Sequence, residues 1–149
     1  MKNITLKING QNNFDDAKGA DTIDVITEGK LYKKRDAIYL VYEENETMGF
    51  DKCKTTIKID GDRVKMKRFF AEGIPTEMEF KKGMRFSSKY MTPYGPLDLE
   101  VLTYDLKNTI DEKGAGSLRM DYDVSLNGLV KGKNSIDITV VEEEEDEIQ

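Results

Sequence analysis

Apolar and polar residues alternate along almost the whole chain. Ile4, Leu6 and Ile8 are interleaved with Thr5 and Lys7, Ile23, Val25 and Thr27 follow, and Ile38, Leu40 and Tyr42 alternate with Tyr39, Val41 and Glu43. On an extended strand successive side chains point to opposite faces, so a period of two predicts strands with one face in a core. Cys53, Thr55, Ile57 and Ile59 lead into Asp60-Gly61-Asp62, and Val64, Met66, Arg68 and Phe70 resume the pattern, which predicts a hairpin. Met78 and Phe80, the turn Lys81-Lys82-Gly83, and then Met84, Phe86, Ser88 and Tyr90 predict a second hairpin. The run from Leu97 to Leu106 is apolar on both faces, and Asp111 to Gly116 reads as a flexible connection. Leu118, Met120, Tyr122, Val124 and Leu126 alternate up to Asn127-Gly128, and Ile136, Ile138 and Val140 form the last strand.

Closely spaced turn signals between these runs, with no helix longer than a turn or two, predict an all-β fold of about 8–10 strands. Consecutive hairpins favour an antiparallel meander, and closing it into a barrel removes the sheet edges that invite aggregation. At 149 residues the chain suits one domain. That domain is read as 1–141, followed by an acidic C-terminal tail, 142–149, that stays solvated and frays.

Charge and composition narrow the function. Twenty-nine Asp and Glu against 23 Lys and Arg give a net charge of -6, which argues against nucleic acid and anionic membranes as partners. No signal peptide or membrane-spanning run is visible, so the expected compartment is the cytoplasm. The lone Cys53 can form no internal disulfide and no four-thiolate zinc site. There is no histidine, which excludes Ser-His-Asp and Cys-His nucleophilic systems and imidazole proton shuttles. Asp60-Gly61-Asp62 is too short for a calcium loop, and Gly114-Ala115-Gly116 lacks the following helix of a phosphate-binding loop. No cofactor or metal is implied, and the carboxylates of Glu100, Asp121 and Asp123 fall on the polar, outward phase.

Polar groups on the apolar phase are the candidate chemistry. Arg68 shares a face with Val64, Met66 and Phe70, so its guanidinium must snorkel to the rim, pair with a carboxylate or meet an anionic ligand. Tyr42, Thr55, Ser88, Tyr90, Thr103 and Tyr122 have the same inward parity, and such a mixed lining either orients a small amphipathic molecule or simply packs. Thr92-Pro93-Tyr94-Gly95 fits a type I turn, a corner that places Tyr90 and Tyr94 beside a barrel mouth.

The segments YLVYEE (39–44), KTTIKI (54–59), Arg68, KYMTPYGPLDLEV (89–101) and GAGSLRMDYDVSL (114–126), in this order and spacing, resemble the YwiB-like family of small bacterial proteins of unknown function. The resemblance spans nearly the whole chain. It implies a calycin-type, lipocalin-like β-barrel and no reaction. The Gly-x-Trp signature of lipocalins is absent, since there is no tryptophan. The Arg-x-Tyr pair of intracellular fatty-acid binders is absent too, because Arg119 and Tyr122 are three apart and face opposite sides.

The leading expectation is a non-enzymatic β-barrel that takes a small amphipathic or anionic ligand inside the barrel or at its mouth. Arg68 would be the cation, with Tyr42, Tyr90, Tyr94 and Tyr122 as lining. The alternative is a solid barrel that binds a protein partner or a second copy of itself, motivated by the two-faced run Leu97 to Leu106. An enzyme using only Tyr, Lys, Arg and carboxylates ranks below both.

Overall fold

A computed structural model describes residues 1–14, 21–44, 53–70, 75–92, 94–111, 113–128 and 130–142. Ten strands follow one another: β1 (Lys2–Phe14), β2 (Asp21–Lys34), β3 (Ala37–Glu44), β4 (Cys53–Asp60), β5 (Arg63–Phe70), β6 (Thr76–Lys81), β7 (Arg85–Thr92), β8 (Gly95–Asn108), β9 (Gly116–Leu126) and β10 (Val130–Glu142). No helix occurs among the described residues. All ladders are antiparallel, in the order β6-β5-β4-β3-β2-β1-β10-β9-β8-β7. The chain is thus a meander whose first and last strands pair, with the free edges of β6 and β7 brought together.

The apolar phases anticipated from the sequence face the interior. Ile4, Leu6, Leu40, Ile57, Val64, Phe80, Val101, Leu118, Met120 and Ile138 are fully buried in one cluster. Burying such side chains stabilises by about 1.5–3 kcal/mol each. Cys53 is buried as well. At one end, the turns at 35–36, 61–62 and 82–83 are joined by the connection between β8 and β9. That connection differs from the flexible segment expected. Asp111 accepts through Oδ1 from the backbone amides of Lys113 (2.9 Å) and Ala115 (3.3 Å), Ile110 is buried in the core, and Gly114 sits against Ile4 and Leu31. It forms a floor beneath the barrel.

Two further departures from the sequence pattern shape the wall around β6–β8. The register of β8 against β9 slips between Thr103 and Asp105, leaving Tyr104 as the extra residue of a β-bulge. Parity reverses there: Thr103 pairs with Tyr122 and Leu106 with Met120, so Leu99, Val101 and Leu106 all pack inward. The two-faced run is therefore one strand that changes phase. Only Leu102 and Tyr104 are left on the outside, and the Tyr104 hydroxyl is bonded to Asp123.

The second departure concerns the hairpin expected across Lys81-Lys82-Gly83. The turn forms, with the Met84 amide bonded to the Lys81 carbonyl at 2.9 Å, but β6 and β7 share no ladder. The turn pairs instead with β8: Gly83 N–H donates to the Thr103 carbonyl (2.8 Å), and Thr103 N–H donates to the Met84 carbonyl (3.2 Å). The barrel is consequently nearly closed, with a seam between β6 and β7.

Candidate functional site

Strand register assembles a polar row inside the barrel toward the end opposite the floor. Tyr42 on β3 is opposite Thr55 on β4, Thr55 is opposite Arg68 on β5, and Arg68 is opposite Thr76 on β6. All four lie one inward position from, or at, the strand ends that border this mouth. Tyr42, Thr55 and Thr76 are buried, whereas Arg68 is half-buried. The row runs to the seam, and Ser88 on β7 continues it by donating its hydroxyl to the Glu77 carbonyl at 2.9 Å.

Tyr122 approaches from the opposite wall. Its ring meets Phe80 edge-on, with centroids 4.8 Å apart. Burial pushes its hydroxyl above the ordinary phenol value, while the Arg68 guanidinium acts in the opposite direction. Arg68 and Tyr122, from β5 and β9, therefore share one electrostatic environment. Beside Tyr122 in register is Thr103, completely buried. The hydroxyl oxygens of Thr55 and Thr103 have no hydrogen-bond partner. An enclosed hydroxyl without a partner carries a desolvation penalty of about 1–3 kcal/mol, which such groups escape by bonding water or a ligand.

The interior is graded. Around the floor, Ile57, Val64, Leu118 and Ile138 are sealed from solvent, while toward the mouth Arg68, Ser88, Tyr122, Val124, Leu126 and Asn134 keep partial exposure.

Of the residues singled out from sequence, Tyr42, Arg68 and Tyr122 all face this interior. Tyr90 stands at the rim, 37% exposed, on the same strand phase as Ser88. Tyr94 does not line it: its side chain is fully exposed at 101% in the corner after β7. Gly95, with φ +117°, turns the chain there and leaves Tyr94 pointing into solvent. Pro93 of the expected type I turn and residues 143–149 of the expected tail 142–149 lie outside the described residues, whereas Glu142 is not frayed but ends β10, paired with Ile4. Thr76 was missed because a single threonine at a strand start carries no sequence signal. Its role emerges only from pairing with Arg68.

The outward carboxylates are occupied on the surface. Glu100 pairs with Arg85 at 3.1 Å, and Asp121 and Asp137 flank Arg119 at 3.5 and 2.8 Å. Asp123 departs from a fully solvated reading, because it is half-buried and its Oδ1 is enclosed without a partner. Among the described residues no cluster of three or more Cys, Asp or Glu could hold a metal ion. No helix is long and apolar enough to cross a membrane.

The crystal structure of the ywiB protein from Bacillus subtilis is similar to this chain, with a TM-score of 0.80 and 25% identity over 96% of this chain and 93% of that one. No curated protein matches the sequence. The family described as Domain of unknown function (DUF1934) matches residues 6–138, most of the chain, and the chain belongs to that family.

Proposed function

We propose that the protein is a non-enzymatic, cytoplasmic binding barrel for a small amphipathic molecule with an anionic or hydrogen-bond-accepting head. The reading rests on one observation above all: the unpartnered, buried hydroxyls of Thr55 and Thr103 lie in the same interior as Arg68 and Tyr122. A head group that accepts from these hydroxyls and meets the guanidinium removes their desolvation penalty. The apolar wall toward the mouth, Val124 and Leu126, suits the rest of the molecule.

Native and denaturing mass spectrometry of protein purified gently from its own host tests this reading. A retained small molecule in the wild type, lost in Arg68→Ala while the fold persists by circular dichroism, is the expected result. A ligand-free mass in repeated preparations, with no thermal stabilisation by long-chain carboxylates or phosphate monoesters, would overturn it.

A further inference from the structure

The cations on the outer surface are of two kinds. Around β6–β10 most are matched, Lys82 and Lys107 with Asp105, Arg85 with Glu100, Lys89 with Asp98, and Arg119 with Asp121 and Asp137, while Lys81 and Lys133 have no ion pair among the described residues. On the outside of β2–β5, Lys30, Lys54, Lys58 and Lys67 have no ion pair among the described residues, although Lys54 is opposite Glu43 and Lys67 opposite Glu77 in register, and Lys65 reaches Glu77 at 3.1 Å. Lys58 and Lys65 are directly opposite each other across β4 and β5. Like charges at that position are unfavourable in a sheet, so the arrangement does not serve stability.

Apolar and aromatic groups are interleaved with these lysines. Tyr32 and Tyr39 stack with ring planes 2° apart and centroids at 4.8 Å, and Lys58 lies over the Tyr39 ring at 6.0 Å. Lys67 lies 5.4 Å from the centroid of the exposed Phe69 ring. An open groove of about 1140 Å³ covers the β2–β4 part of this face, with Lys30, Lys54, Tyr32, Val41, Thr56 and Ile26 in its walls, and Lys58, Lys67 and Phe69 lie beyond it. Glu28 and Glu43 border it.

The overall charge does not oppose an anionic partner here. Six of the 29 acidic residues fall in 142–149, so 23 remain to balance the 23 Lys and Arg of residues 1–141. Residues 1–141 are neutral, and the entire -6 falls in 142–149, of which only Glu142 belongs to β10.

We propose that the outer face of β2–β5 binds single-stranded nucleic acid, with phosphates on Lys30, Lys54, Lys58 and Lys67 and bases against Tyr32, Val41 and Phe69. Rows of lysine beside aromatic rings suit a single strand, because the cations track the backbone while any base can stack on a ring. An acidic peptide would use the lysines and leave the rings idle. A duplex hides its base faces and needs an element that enters a groove, which this barrel wall lacks. This site is independent of the barrel interior.

The test is fluorescence anisotropy of fluorescein-labelled 20-nucleotide oligo-uridine and oligo-thymidine with the full chain. Saturable binding at 50 mM salt is expected to weaken about 20–50-fold at 200 mM, the slope for three or four neutralised phosphates on a single strand. Lys58→Glu and Lys67→Glu are expected to weaken binding at least about tenfold at low salt. Lys58→Glu places a carboxylate opposite Lys65 and so preserves the fold, to be checked by thermal melting. Lys89→Glu, on the ion-paired face, is expected to change binding little. No saturable binding at 50 mM salt would overturn the proposal, as would equal loss in Lys89→Glu. Displacement by poly-glutamate at equal charge concentration would overturn the nucleic-acid assignment, and tighter binding of a duplex of the same length would overturn the single-strand assignment.

Discussion

Ser88 on β7 donates its hydroxyl to the backbone carbonyl of Glu77 on β6, across the junction of the barrel that no ladder spans. A side chain here stands in for main-chain pairing. Ser88→Ala leaves a part-buried carbonyl without that donor, and a net loss of about 1 kcal/mol is expected. Urea denaturation measures the loss. Hydrogen exchange should show it concentrated at the amides of 76–81, whereas a uniform change over the molecule would mean the bond does not hold the seam.

Thr55→Val and Thr103→Val remove hydroxyls that have no partner while keeping shape. Each ligand-free variant is expected to be more stable than the wild type, by about 1 kcal/mol, because a buried unsatisfied donor is lost. Thermal melting checks this directly. A drop in stability would show that bound water already satisfies these groups, and the argument for a ligand head at that position would fail.

Two tyrosines should ionise late. Tyr104 is raised chiefly by its hydrogen bond to Asp123 and further by that carboxylate's charge, and Tyr122 is raised by burial. For a tyrosine held neutral in the fold, the stabilisation is complete below the unfolded value of about 10. It is lost as pH rises, since the unfolded chain releases its proton first. Stability should therefore fall above about pH 10, and Tyr122→Phe should reduce the slope. Titration at the phenolate absorbance band, wild type against Tyr122→Phe and Tyr104→Phe, identifies the late groups.

Gly116 has φ +133°, and a Cβ there would come within 2.3 Å of the Thr109 carbonyl oxygen. Gly116→Ala must break the floor connection or shift β9, with an expected loss above about 3 kcal/mol. Gly10, whose nearest neighbour would be the Ser135 carbonyl at 3.8 Å, tolerates alanine with little change. Chemical denaturation of the two variants side by side distinguishes a local steric effect from a general intolerance of strand glycines.

The strands were legible in the sequence because each apolar phase of two had a core to face. Ile57, Val64 and Leu118 are buried as their parity required. Arg68, Tyr42 and Tyr122 were legible for the converse reason, as polar groups on the buried phase. The bulge at Tyr104 was not, since an inserted residue looks like a second apolar face until the partner strand fixes the register. The seam was hidden as well. The pattern around Lys82-Gly83 is that of a hairpin, and whether the strands beyond a turn remain paired is decided by where the turn itself bonds, here to Thr103. Tyr94 illustrates a third limit, because a residue in a corner has no phase to read, and its exposure follows from the backbone at Gly95. The unpaired lysines of β4 and β5 were invisible to net charge, which sums over faces that the fold separates.

The ladder between β1 and β10, running from Ile4 opposite Glu142 to Phe14 opposite Gly132, also sets an order for biosynthesis. On the ribosome, β1 can pair with β2 early, but its other edge stays open until the last strand has emerged from the exit tunnel. Pairing of such distant segments is slow, and exposed edges are where nascent chains associate wrongly. A chain that has not yet exposed β10 would therefore present an open sheet with β1 unpaired on one side, and the emergence of β10 is the step that turns this sheet into a barrel.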